Sequence, residues 1–316
     1  MSDRAIPADR PTGRSTESDA ATRDAVLLEK DGVIARLILN RPEKGNALPF
    51  AALDRLVELL HQVEDDDDVK VVILKGRGAS FCVGDDFDDI ARAYGHVGAE
   101  PGKRPPRLSQ RARLAIDRRL GASVSAFQHS AKPVIAQVQG HCVGIGIYLV
   151  EVVDLAICAH STRFSHAEQR LALAGNTFHL ASQILSYGPK KSRELLLFGD
   201  QFDGPQAEAI GLVNRSVADD ELEATVDAWA AKVARNSKDA LVVGKAVHAM
   251  ALASLGVSGN FYSGMVGHAL ATNVKFDPED FNFFRQRRDQ GTKAAFQGRD
   301  GHHTEGEGPD SPDSSA

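Results

Sequence analysis

The run Gln139 to Tyr148 brings together the residue types best suited to chemistry, with glycines at 140, 144 and 146. An apolar run, Pro133 to Val138, leads in, and a second, Ile147 to Ala156, leads out. That pattern predicts a strand, a tight turn and a helix. Glycine there permits a sharp turn and a close approach of backbone to a ligand. A helix starting at the turn presents unpaired N–H groups and the positive end of its dipole at one point. The chemistry that fits is stabilisation of negative charge developing on a ligand oxygen. Taken alone, the stretch reads first as a glycine-softened helix start with no ligand. A second glycine-marked turn after a strand, Ala79 to Phe87, carries Gly84, Asp85 and Asp86. His141 and Cys142 are a conceivable nucleophilic pair, but neighbours at a strand end point to opposite faces, which sets that pairing aside.

These turns need rigid elements to hold them. Val26 to Leu39 is the first expected ordered segment, and Val33 to Leu39, rich in branched aliphatics, predicts a strand. Asn40 to Ala47 breaks it with turn formers. Between Phe50 and Val63 apolar residues recur at Leu53, Leu56, Val57, Leu60 and Val63, which is helical spacing. Glu64 to Asp68 reads as a solvated acidic loop, lacking the glycine and alternating ligands of a calcium loop. Val69 to Leu74 predicts a second strand, closed by Gly76-Arg77-Gly78. Tyr94 to Pro106 carries Gly and Pro and reads as mobile. The basic stretch Lys103 to Arg119 is either a solvated helix face or a phosphate-facing patch. Leu155 to Ala159 predicts a buried strand, and Thr162 to Ser165 a short extended piece before His166-Ala167-Glu168. Helices are expected over Glu221 to Ala234, Ala240 to Ala253, and Phe276 to Phe296, the last starting at Asp277-Pro278. Strands alternating with helices, then a helical C-terminal third, imply an α/β core with a helical appendage. The expected divisions are a disordered tail at 1–24, a core at 25–215, a helical region at 216–300 and a second disordered tail at 301–316.

Composition narrows the classes. The chain has 316 residues, 42% hydrophobic and 25% charged, with a formal net charge of −6. Its mild acidity argues against a general nucleic-acid binder. Three cysteines without CxxC spacing suggest reduced thiols in a cytoplasmic setting. No apolar run reaches the roughly 18 residues of a membrane span, and the polar start does not read as a secretory signal. No metal site is expected.

Several pieces, in order, resemble the crotonase, or enoyl-CoA hydratase/isomerase, superfamily. They are Leu39 to Leu48, Gly78 to Asp86, Lys132 to Ala136 with Gly140 to Gly146, Phe164 to Glu168, and Gly199-Asp200 with Ala207, Ala209 and Gly211 to Asn214. Singly these are weak signals; as an ordered set over about Val26 to Phe296 they are specific. The resemblance implies an α/β fold, a crotonase-like spiral of ββα turns with a C-terminal helical trimerisation region. It further implies a homotrimer or dimer of trimers. It implies an acyl-CoA substrate, with coenzyme A entering as part of the thioester and not as a permanent cofactor. Residue by residue, it implies an oxyanion hole from the backbone N–H groups of Asp85 and Ile145, beside Gly144. Each such donor contributes about 3 kcal/mol of transition-state stabilisation. Val83 and Phe87 are implied against the adenine, with Lys44 and Arg41 as candidates for the CoA phosphates.

The acid–base residues depart from the pattern. Hydratases of this family carry two glutamates; the later position is Glu168 here, and the earlier is Tyr148. A phenol with a pKa near 10 is a poor water activator at neutral pH. Tyr148 either bonds a substrate oxygen, orients Glu168 or fills the acyl pocket. His166 tunes Glu168, donates to the substrate or is structural. Ala172 to Asn176 replaces the family's usual Gly-x-x-Pro-Gly. The Asp85 carboxylate sits where negative charge is to develop. Unless it faces solvent or pairs with a base such as Arg77, its pKa should rise. The expected enzyme is an enoyl-CoA hydratase/isomerase, a lyase first, with isomerase or C–C bond hydrolase as alternatives. From another class, a non-catalytic CoA- or RNA-binding homologue would use the basic stretch.

Overall fold

The computed structural model describes residues 24–94, 108–171, 179–271, 276–277 and 280–304. Strands β1 (Val26–Asp31) and β2 (Ile34–Leu39) form an antiparallel hairpin around Gly32. The strand expected from Val33 therefore gains an edge partner from the residues before it. Onto β2 add, all parallel, β3 (Val71–Gly76), β4 (Val134–Val138), β6 (Leu155–Ala159) and β8 (Arg215–Val217), in the order β1-β2-β3-β4-β6-β8.

Parallel neighbours require crossovers, and helices supply them. Helix α1 (Phe50–Asp65) links β2 to β3, and α2 (Phe87–Ala93) and α3 (Gln110–Gln128) lie between β3 and β4. Helix α4 (Ile145–Val152) precedes β6. Helices α5 (Leu180–Phe198, broken at Gly188) and α6 (Gly204–Ile210) precede β8. The two-residue period of a strand divides the core. Val72, Leu74, Ala136, Val138, Ala156 and Cys158 pack with the residues of α1, α3 and α4. Val71, Ile73, Ile135, Ile157 and Ala159 pack on the other side, against Leu222, Val226 and Ala230 of α7 (Leu222–Ala234).

A second, smaller layer carries the site. After β4 the chain does not turn straight into a helix, as the sequence predicted. It first forms β5 (His141–Val143), parallel to β7 (Arg163–Ser165). Single bridges extend this layer: Leu48 to Asp85, Cys82 to Cys142, and Phe164 to Phe202. Each turn of the spiral thus lays one long strand in the main sheet and one short piece in this layer, the crotonase-like arrangement the resemblance implied.

Helices α8 (Lys238–Ser254), α9 (Val257–Ala271), α10 (Phe283–Gln290) and α11 (Thr292–Thr304) complete the chain. The single helix expected over 276–296 is corrected to two: α10 starts only at Phe283, capped by the Asn282 side chain, and Gly291 at φ +89 breaks it from α11. Helix α11 runs through Thr304, so the tail expected from 301 begins inside it. The expectations for Tyr94 to Pro106 and Ala172 to Asn176 fall almost wholly outside the described residues. Among those described, no helix is long and apolar enough to cross a membrane, and no cluster of His, Cys, Asp and Glu could hold a metal.

Candidate active site

Two glycine turns meet at the centre of the second layer. Gly84 has φ +110 and Gly144 has φ +54, conformations that favour residues without a side chain. They touch: a Cβ added at Gly144 would lie 3.6 Å from the Gly84 Cα, and one at Gly84 would lie 3.4 Å from the Val143 carbonyl oxygen. Leu48 donates to the Gly84 carbonyl at 2.9 Å and accepts from the Asp86 N–H at 3.0 Å. In extended chain those flanking bonds turn the Asp85 N–H to the opposite side. Ile145 is the first residue of α4, where an N–H has no intrahelical partner. The two N–H groups named from the resemblance therefore belong to turns that are in contact.

Glu168 and Tyr148, twenty residues apart in sequence, are both buried, and the Tyr148 hydroxyl donates to Glu168 Oε1. Burial and the Glu168 charge hold the phenol well above its usual pKa, so it stays a donor. Glu168 Oε2 is buried without a partner.

Behind this pair lies a polar cluster inside an apolar wall. His166, fully buried, stacks on the Tyr148 ring at 6.1 Å between centroids. Its Nε2 is 3.0 Å from Glu151 Oε1, and its Nδ1 is 4.0 Å from Glu168 Oε2. Gln183 also donates to Glu151 Oε1 at 2.9 Å, as does the Tyr187 hydroxyl. Burial alone would lower the His166 pKa, but the Glu151 and Glu168 carboxylates outweigh it and raise the value. Glu151, Gln183 and Tyr187 were missed in the sequence. The available signal was Glu151, the lone carboxylate in the apolar run Ile147 to Val153.

Asp85 behaves as its setting demands. Arg77 is engaged by Asn40 Oδ1 at 3.0 Å and Glu29 at 3.8 Å, not by Asp85. Asp85 is half-buried, and its Oδ1 is fully buried with no partner. Burial pushes its pKa up to about 7; the Glu168 charge adds to this, and His268 opposes it.

A cavity of about 510 Å³ opens beside the turns, lined by Lys44, Val83, Asp85, Phe87, Arg170 and Arg287, among others. Phe87 meets it from an aromatic cluster, with ring centroids 5.7 Å from Phe283 and 5.9 Å from Phe296. The aromatic residues from Phe281 to Phe284 thus serve packing around Phe87. Arg41 does not line the cavity, and neither do Gly144, Ile145, Tyr148 and Glu168; Gly144 and Glu168 directly follow the lining residues Val143 and Ala167. Arg41 donates to Asp86 Oδ2 at 3.0 Å from both terminal nitrogens, and to the Ala47 carbonyl at 2.5 Å, bracing the loop that presents Lys44. Asn46, at φ +59, fastens the same loop to the Ser80 carbonyl at 2.7 Å. His141 is exposed and Cys142 buried, so they do face apart. Of the basic stretch, Arg119 pairs with Asp54 and lies over the Phe50 ring, and Arg113 is buried against Tyr94; Lys103, Arg104 and Arg107 lie outside the described residues.

Known proteins resemble this chain in sequence and in fold. The family model described as enoyl-CoA hydratase/isomerase matches residues 29–256. The chain is 30% identical over 233 residues to a mevalonyl-coenzyme A hydratase of Aspergillus fumigatus, covering 72% of this chain and 79% of that protein. It is 29% identical over 194 residues to a peroxisomal Delta(3,5)-Delta(2,4)-dienoyl-CoA isomerase of Arabidopsis thaliana, covering 61% of this chain and 69% of that one. The crystal structure of an enoyl-CoA hydratase/isomerase from Xanthobacter autotrophicus superposes with a TM-score of 0.74 at 27% identity, covering 88% of this chain and 98% of that one.

Proposed function

The chain belongs to the enoyl-CoA hydratase/isomerase family, and on that premise we propose that it enolises an acyl-CoA thioester with Glu168 as its one carboxylate base. The thioester oxygen sits between the N–H groups of Asp85 and Ile145. Withdrawal of electrons there acidifies the carbon beside the carbonyl, because the donors fit the enolate oxygen better than the ground-state carbonyl. Glu168 takes the proton from that carbon and returns it to the same or a conjugated carbon. Tyr148 stays protonated, holding Glu168 Oε1 and leaving Oε2 to work. Lys44, which lines the cavity, meets the CoA phosphates, with Val83 and Phe87 beside the adenine.

The observation that carries this reading is the Tyr148–Glu168 hydrogen bond beside two touching glycine turns. It also favours isomerisation over hydration. Hydration needs a second group to activate water, and a buried phenol with a raised pKa is a poor one. Panels of enoyl-, cyclic-ketone and hydroxyacyl-CoAs in deuterated water test it. Deuterium uptake with double-bond migration is the expected result; net addition of water restores hydration, and no uptake with any thioester that binds refutes enolisation.

A further inference from the structure

We propose that His166 is a positioning residue for this site: held as an imidazolium by Glu151, it keeps the buried Glu168 ionised and ready to accept a proton. The inference rests on Glu168 being the base, and it assigns a purpose to the buried cluster of Glu151, His166, Gln183 and Tyr187.

The argument follows the protons. The 3.0 Å between His166 Nε2 and Glu151 Oε1 requires a proton between them. Gln183 Nε2 lies 3.2 Å, and the Tyr187 hydroxyl 3.5 Å, from the same ring nitrogen. Gln183, Tyr187 and His166 Nε2 thus converge on the one oxygen Glu151 Oε1, an arrangement that fits an ionised acceptor and places the proton between Glu151 and Nε2 on His166. That leaves Nδ1, buried and without a partner, facing Glu168 Oε2, also buried and without a partner, at 4.0 Å. A bare Nδ1 would aim a lone pair at a carboxylate. A protonated Nδ1 makes the same arrangement an ion pair, and a shift of about 1 Å closes it to a hydrogen bond.

Charge balance points the same way. The groups facing the ring are Glu151 and Tyr148 from α4, Glu168 from the segment after β7, and Gln183 and Tyr187 from α5. Two are carboxylates, and the Tyr148 and Tyr187 phenols are held neutral, chiefly by burial. No cation other than His166 appears among these groups. A buried carboxylate drifts towards its neutral form, and a positive charge within about 4–6 Å reverses that drift. The second carboxylate of a hydratase site would instead oppose ionisation of the first. In this chain Tyr148 replaces it; Asp85, whose pKa the Glu168 charge raises, still opposes Glu168, and His166 supplies charge of the opposite sign. The His166 proton stays on the ring throughout; only Glu168 exchanges protons with the substrate.

Histidine-selective ¹⁵N NMR of the full chain near pH 7 tests the charge state directly. The expected result is one histidine with both ring nitrogens protonated and slow to exchange. The other strongly buried histidine, His179, has its pKa lowered to about 4 by burial and is expected neutral. The double signal should vanish in His166→Gln, or in Glu151→Gln if the first variant does not fold. A singly protonated His166 at that pH overturns the inference. In either folded variant, exchange on the acid side of the profile should fall roughly tenfold, moving that limb to higher pH, with KM little changed. An unmoved limb also overturns it. If Glu168→Gln leaves exchange intact, the functional reading fails; if exchange needs Glu168 but His166 is neutral, only this inference fails.

Discussion

Tyr148 and Glu168 are joined by a buried hydrogen bond that runs from the phenol to one carboxylate oxygen. Where two glutamates would share a water, this site has one carboxylate and one phenol whose pKa burial raises. Tyr148→Phe should leave Glu168 Oε1 without its partner, a penalty of about 1–3 kcal/mol. The expected outcome is a roughly tenfold to hundredfold fall in kcat for exchange with acyl-CoA binding retained, measured by steady-state kinetics. Unchanged kcat would reduce Tyr148 to a filler of the acyl pocket.

Asp85 should make stability fall as pH rises. Its folded pKa, about 7, lies above the 3.8 of an ordinary aspartate. Between those values the unfolded chain binds fewer protons than the folded one, so stability decreases through that window. Asp85→Asn should therefore raise Tm more at pH 8 than at pH 4, read by calorimetry. The ionised carboxylate also opposes an enolate next to it. Glu168, Asp89 and His268 set its charge environment. Wild-type exchange is expected to weaken above about pH 7 and the Asn variant to lose that decline; parallel profiles would contradict this.

An apolar stripe on the C-terminal helices is left open. Val243, Val247 and Met250 of α8 are 60%, 60% and 70% exposed and recur at helical spacing on one face. Leu255, Tyr262 and Leu270 extend the exposed apolar surface towards and along α9. We expect copies of this chain to cover it. Light scattering should give three or six times the 33.9 kDa of one chain, and Val247→Glu with Met250→Glu should shift the mass towards one. A monomeric wild type would contradict this.

All three cysteines are buried, and burial pushes the Cys82 and Cys158 thiols up to about 12. Cys142 is raised well above its usual value for the same reason. A thiol reagent should label the native chain slowly and the denatured chain at all three sites. Fast labelling of Cys142 would revive a nucleophilic role for it.

Much of this was legible from residue order. Gly84 and Gly144 announced two turns because positive φ favours glycine, and the motifs around them gave the spiral. The β5 strand escaped notice because three residues, His141 to Val143, carry too little pattern to be told from the turn they precede. The ion pair of Arg41 with Asp86 was not legible because the two lie 45 residues apart. The Glu151–His166–Gln183–Tyr187 cluster was hidden for the same reason. Its members come from separate elements, and only burial reveals that their polar atoms must satisfy one another.

Deuterium exchange in Glu168→Gln tests the central claim most directly. With an acyl-CoA that binds, the wild-type protein should incorporate deuterium at the carbon beside the thioester carbonyl. The variant should do so about 10²–10⁴ times more slowly while binding the thioester as well. Full exchange in the variant, or none in the wild type with a bound thioester, would contradict the account.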